Sequence, residues 1–154
     1  MRIAMSFALA LAATSAGAQN PRSVMTITST VVFPAPTAND YAAGFVNSTA
    51  GVTFNINATQ GNQAHTTTVL IRSLSANLGG TKPIGHLQWR RSDLAVWNDL
   101  TVANVQVEQR PQTLNVLNDP WGNTIFFRML LNWTTDPPAT YSANYQLTLS
   151  QTVP

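Results

Sequence analysis

Catalysis and ligand binding draw on bases, nucleophiles, metal ligands and flat aromatic faces, and this sequence is sparing with all but the last. It holds two histidines, His65 and His86, a single glutamate, Glu108, and no cysteine. A hydroxyl nucleophile needs a base beside it; serines are plentiful, yet none stands in a Gly-x-Ser-x-Gly elbow. His65 leads into three threonines at a strand edge and His86 lies in "GHLQW", so both read as ordinary surface or half-buried side chains. His-x-His pairs and acidic loops of calcium-binding spacing are missing from the sequence, and Asn118-Asp119 and Asp136 fall in "NDPWGN" and "TDPP", where Asx side chains start turns. A carboxylate pair for glycoside hydrolysis would have to come from scattered acids. No catalytic residue, metal or cofactor is expected.

The four tryptophans offer a different chemistry. Each indole presents a flat apolar face with one N–H donor, a surface on which sugar rings stack. Trp121, between Pro120 and Gly122, reads as a turn residue, and Trp121 and Trp97 are the ligand-binding candidates. Folding back over a sheet end is the competing expectation for Trp121. Trp89 and Trp133 alternate with apolar neighbours and read as core.

These side chains must be positioned by strands. "VMTITSTVVF" puts Met25, Ile27, Val31 and Phe33 on one face and Thr26, Thr28 and Thr30 on the other, until Pro34 and Pro36 stop it. "GVTFNINAT", "HTTTVLIRSLSA", "IGHLQWR", "LTVANVQVEQ" and "QTLNVL" follow, with turn residues between them. "TIFFRMLLNW" lines Ile125, Phe127, Met129, Leu131 and Trp133 on one face, while Phe126 and Leu130 on the other indicate cover on both sides, as in mid-sheet. Tyr141, Ala143, Tyr145, Leu147 and Leu149 share a face of the last strand. The one helical competitor is a single turn at "SDLAVWNDL". Roughly eight to ten short strands with regular turn signals predict an all-β fold, an antiparallel Greek-key β-sandwich of immunoglobulin-like type.

The N-terminus carries a different pattern. Arg2, the apolar "IAMSFALALAATSA" and Ala16-Gly17-Ala18 fit a cleavable signal peptide over residues 1–18, followed by a single domain over residues 19–154. The apolar run is shorter than the roughly 20 residues a membrane-spanning helix needs. Between residues 19 and 154 stand seven basic and six acidic side chains, with Lys82 the only lysine. That spread lacks the clustered basic footprint of a nucleic-acid binder, and Arg90 and Arg91, as strand neighbours, point to opposite faces. The polar surface is left to Thr and Asn, the first favouring strands and the second turns.

The ending "PPATYSANYQLTLS" resembles that of bacterial surface β-sandwiches, the chaperone–usher pilins and the spore-coat-U-like proteins. "LQWRRSDLAVWNDL" is similar to a mid-domain segment of the latter, and "TYSANYQLTLSQTVP" also resembles the close of WxL cell-wall-binding domains. The likeness covers the last third of the chain; the cysteines common in the first two groups and the Trp-x-Leu motif of the third are absent. It implies an exported, non-catalytic structural or adhesive component of a bacterial surface, periplasmic, extracellular or cell-bound, that works through protein–protein contacts. Self-assembly by β-strand addition would use the segment carrying Met25, Ile27, Val31 and Phe33 as the donated strand. An ordinary first strand of a complete domain is the preferred reading of that segment. A secreted carbohydrate-binding module is the alternative, with a glycan as partner, and a small hydrolase using His65 or His86 is the third. Neither a nucleic-acid partner nor a membrane span is expected.

Export has a direct check. Mass spectrometry of the exported protein is expected to find Gln19 at its N-terminus, and an exported chain that retains Met1 would remove the leader assignment.

Overall fold

The computed structural model describes residues 23–27, 31–58, 64–79, 81–112, 120–136 and 141–152. The predicted leader, residues 1–18, and the predicted strand 112–117 fall wholly or almost wholly outside them. Among the described residues the chain forms nine strands: β1 (Ser23–Ile27), β2 (Phe45–Asn47), β3 (Val52–Ala58), β4 (His65–Ser73), β5 (Leu87–Arg91), β6 (Asn98–Asp99), β7 (Val105–Gln112), β8 (Trp121–Leu130) and β9 (Tyr145–Thr152). A short helix, α1 (Ala38–Ala43), precedes β2.

All pairings are antiparallel and fall into two sheets, as the all-β expectation requires. The larger has the order β1-β3-β8-β5-β6, with β2 also paired to β8; the smaller has the order β7-β4-β9. β8 alternates as its sequence predicts. Ile125, Phe127 and Met129 are fully buried, while Thr124, Phe126, Arg128 and Leu130 stand half-buried on the other face. Opposite Ile125, Phe127 and Met129 across the ladders lie Val52, Trp89 and Leu87. Their apolar faces meet Val69 and Ile71 of β4 and Tyr145 and Leu147 of β9 in one hydrophobic cluster. Phe54, Ile56, Ile125, Phe127, Tyr145 and Leu147, all expected inward, are at most 1% exposed.

β2 and β3 lie end to end along the same edge of β8, against Arg128–Leu130 and Trp121–Ile125 respectively. Between them Ser48 donates its N–H to the Phe127 carbonyl (2.9 Å) and accepts the Phe127 N–H on its hydroxyl (3.3 Å). Gly51 completes the step: a Cβ there would sit 2.4 Å from Thr124 Cγ2 and 3.0 Å from the Ile125 carbonyl, so only glycine lets the chain pass so close. Thr49 bonds the Val32 carbonyl through both its N–H and its hydroxyl, which anchors residues 31–33 with Val31 and Phe33 buried. Val31 and Phe33 thus face the core like Met25, outside the span of β1.

The helix at 38–43 lies in a stretch read from sequence only as a break. Thr37 caps it: the Asp40 N–H reaches the Thr37 hydroxyl (3.3 Å), and the Thr37 N–H reaches the Asp40 carboxylate (2.7 Å). Gly44, at φ 80°, ends it in the left-handed conformation. The single helical turn considered at "SDLAVWNDL" is instead a hydrogen-bonded turn at Ser92-Asp93, closed by the Leu94 N–H on the Arg91 carbonyl (3.2 Å), and it leads to β6. β7 runs through Arg110-Pro111 rather than breaking there; Pro111 is tolerated because β7 is an edge strand.

Two measurements test this core. Phe127→Ala is expected to cost about 3–5 kcal/mol in denaturant unfolding, and a loss below about 1 kcal/mol would place β8 one residue out of register. Burial pushes the Tyr145 phenol up from 10.0 to about 12. The unfolded chain therefore releases this proton first, so the stability it confers is intact below pH 10 and drains away as pH rises towards 12. A loss of about 2–3 kcal/mol across that window is expected from this group, with Tyr141, whose phenol is raised chiefly by burial, adding in the same direction. In Tyr145→Phe the alkaline slope should flatten.

Candidate functional site

The outer face of the larger sheet is where side chains able to meet a ligand converge. Register decides it. Arg90 lies opposite Phe126, Gln88 opposite Arg128, and Leu130 opposite Phe45, all on the face turned away from the core. Trp97 reaches this face from just before β6. The Arg90 guanidinium carbon sits 5.3 Å from the Phe126 ring centre and 5.2 Å from that of Trp97. The Arg128 carbon sits 4.5 Å from Trp97 and 5.1 Å from Phe45. The result is an alternating ladder, Phe126–Arg90–Trp97–Arg128–Phe45, each cation held against aromatic faces.

Hydrogen bonds fix the rungs. Arg128 Nε donates to Gln88 Oε1 (2.7 Å), whose amide donates to Asp99 Oδ1 (2.7 Å). Arg90 Nη1 donates to the Leu94 carbonyl (2.9 Å) and more weakly to that of Arg91 (3.3 Å). The remaining guanidinium N–H groups give the face a positive, donor-rich edge between apolar planes. Leu94 and Val96 stand exposed in the same β5–β6 connection.

Trp97 is therefore one of two predicted candidates placed in a surface array. Trp121 is not beside it. It opens β8 facing inward, 7% exposed, edge-on to Phe54 at 6.1 Å and with the Arg110 guanidinium 4.9 Å over its ring. Its indole N–H is buried without a hydrogen-bond partner, as is that of Trp89. Trp133, expected in the core, is instead 62% exposed, because β8 ends at Leu130 and the chain turns at 133–135. Its ring stacks on Tyr41 at 4.4 Å and 25°.

Arg110 belongs to a second charged group between the sheets. The pairing of β4 with β7 slips between Val69 and Leu70, leaving Val107 as the extra residue of a bulge. Val107 and Glu108 are consequently both buried, where strict alternation would have turned one outward. Glu108 Oε1 accepts from Arg110 Nε and Nη2 (both 2.8 Å), and Oε2 accepts from Asn123 Nδ2 (3.3 Å). Arg91, facing opposite to Arg90 as its position predicts, donates to the Val107 carbonyl (3.2 Å) and clasps Asp93 with two N–H groups. That clasp holds the Asp93 carboxyl well below the usual carboxylate range. With both its oxygens occupied, Glu108 fastens β7 to β5 and β8.

Both histidines are drawn at least partly into the fold. His65 Nε2 lies 3.3 Å from Ser23 Oγ, with Thr67 Oγ1 3.4 Å from the same hydroxyl, but Ser23 and His65 are each 3% exposed where β1 packs on β4. His65 was expected at a strand edge; it sits in the middle strand of the smaller sheet. His86, half-buried, places Nδ1 3.3 Å from Lys82 Nζ. Among the described residues no three potential metal ligands cluster, and no helix is long and apolar enough to cross a membrane. A surface hollow lined by Ser75, Asn77, Gly79, Ser142, Ala143 and Asn144 carries neutral groups only.

Sequence reading missed Arg90, Arg128, Phe126 and Phe45 as a unit. The signal was present in the even-numbered residues of "LQWRR" and "TIFFRML", where Arg90, Phe126 and Arg128 stand on a face that would carry Thr or Asn if it were merely solvated. Comparison of the chain with protein-family models, with curated proteins and with solved structures gives no match.

Proposed function

We propose that the chain is an exported, non-catalytic β-sandwich of Greek-key, immunoglobulin-like type that acts as a structural or adhesive component of a bacterial surface. One observation carries the adhesive part: the Phe126–Arg90–Trp97–Arg128–Phe45 ladder on the outer face of the larger sheet. Cations interleaved with aromatic planes on a rigid sheet suit a partner that is anionic and partly apolar, because the rings supply contact area and the guanidinium edges supply charge-assisted hydrogen bonds. Strands position this face more firmly than loops would. The leader-like N-terminus supports export. β1 pairs with β3 of its own chain, which favours the ordinary-first-strand version of the fold over the donated one.

The carbohydrate-binding reading keeps one specific support, the exposed Trp133. Tyr41 covers one face of its indole and the other faces outward, so it offers a single stacking plane rather than a coplanar pair.

Labelled protein should bind bacterial envelopes, and Arg90→Ala/Arg128→Ala should weaken that binding about tenfold or more while leaving the circular dichroism spectrum unchanged. Undiminished binding by the double variant refutes the ladder as the adhesive face. Loss of binding in Trp133→Ala with the ladder intact would favour the glycan reading.

A further inference from the structure

Lys82 makes a short polar contact in the interior. Its Nζ lies 2.6 Å from Asp136 Oδ2, and the two side chains are only 4% and 5% exposed. Both backbones are pinned. The Lys82 carbonyl accepts the Leu78 N–H (2.8 Å), and the Leu78 carbonyl accepts that of Ser142 (2.9 Å). Asp136 gives its own N–H to the Asn132 carbonyl (3.0 Å), takes the Asn132 N–H on Oδ2 (2.8 Å), and receives the Tyr41 hydroxyl on its backbone oxygen (3.0 Å). The Tyr141 ring stands 5.6 Å from Nζ as an apolar wall, and His86 Nδ1 stands 3.3 Å from the same nitrogen. Withdrawing two ions from water is costly, and neither residue of the pair lies in a strand.

We infer that Lys82 and Asp136 condense into an intramolecular amide, Nζ to Cγ. The arrangement has the parts such a reaction needs. Proximity and fixed orientation replace an encounter in solution, an effect reaching about 10⁵–10⁸ M in effective concentration for well-aligned groups. A lysine amine is a competent nucleophile once it has given up its proton. His86 Nδ1 takes that proton from the ammonium and returns it to the carboxylate. The nitrogen lone pair attacks Cγ while the Asn132 N–H stabilises charge building on the carboxyl oxygen. The nitrogen loses a second proton, the Cγ–O bond breaks, and the departing oxygen carries both protons away as water. Ammonium and carboxylate thus become a neutral amide and one water, with no oxidant or co-reactant. The product ties the segment before β5 to the segment after β8 in a chain without cysteine.

Peptide mapping of the full chain, shown to be folded by circular dichroism, decides the matter. Trypsin should release residues 73–90 and 129–154 as one branched species, lighter than their sum by one water, as the principal product. Lys82→Arg and Asp136→Ala should each return the two segments separately. Recovery of the two wild-type peptides as separate main products from folded protein overturns the inference, whatever the variants do. His86→Phe should slow linkage in freshly folded protein by tenfold or more; linkage at the wild-type rate would remove His86 from the reaction and overturn its role.

Discussion

Everything in the larger sheet hangs on β8. Its backbone must be hydrogen-bonded along both edges, because it has strands on each side and no access to water between them. β3 and β2 share one edge and β5 takes the other. That arrangement fixes the alternation of its side chains, and with it the identity of both faces. One face makes the core through Ile125, Phe127 and Met129. The other carries Phe126 and Arg128 into line with Arg90, Phe45 and Trp97. A shift of one residue would turn the core set outward and bury two of the ladder's five members, Phe126 and Arg128. The core and the candidate binding face are therefore two consequences of one register.

Elements whose pattern is local were legible. The period-2 runs of β3, β4, β5, β8 and β9 name their inward residues, since alternation needs no knowledge of partners. Apart from α1, whose signal is local, failures came where a long-range contact decides the outcome. The Thr37–Asp40 capping box was visible in the sequence, but proline at 34 and 36 drew the reading towards a plain break. Trp133 continues the odd-numbered apolar series of β8, yet the strand ends before it. Ala143 and Tyr141 face inward as expected, although pairing with β4 begins only at Tyr145. Trp121 follows a turn-like Asp-Pro and still opens a strand, under the cover of Arg110.

The charged side chains tell a similar story. Glu108 meets Arg110 two residues away, a pairing readable from sequence, but its burial depends on a bulge opposite Val69 that no local pattern announces. Arg91 joins it from β5, and Asn123 from β8. Lys82 and Asp136 are fifty-four positions apart. A chain with so few ions, most of them clasped in specific partnerships, relies on Thr and Asn for its wetted surface. Pairs such as Thr53–Thr124, whose hydroxyls meet at 2.9 Å across β3 and β8, serve the sheet in the same neutral manner.

One last feature concerns mechanics. Ser23 begins β1 and Gln151 lies next to the end of β9, yet Gln151 Nε2 approaches the Ser23 carbonyl at 3.5 Å although the two strands belong to different sheets. The entry and exit of the described fold are therefore neighbours. Tension applied through both flanking segments would enter at this one corner and not run along the length of the sheets. The domain would hang beside a stretched tether as a side branch, and its first response to pulling would be the parting of β1 from β9.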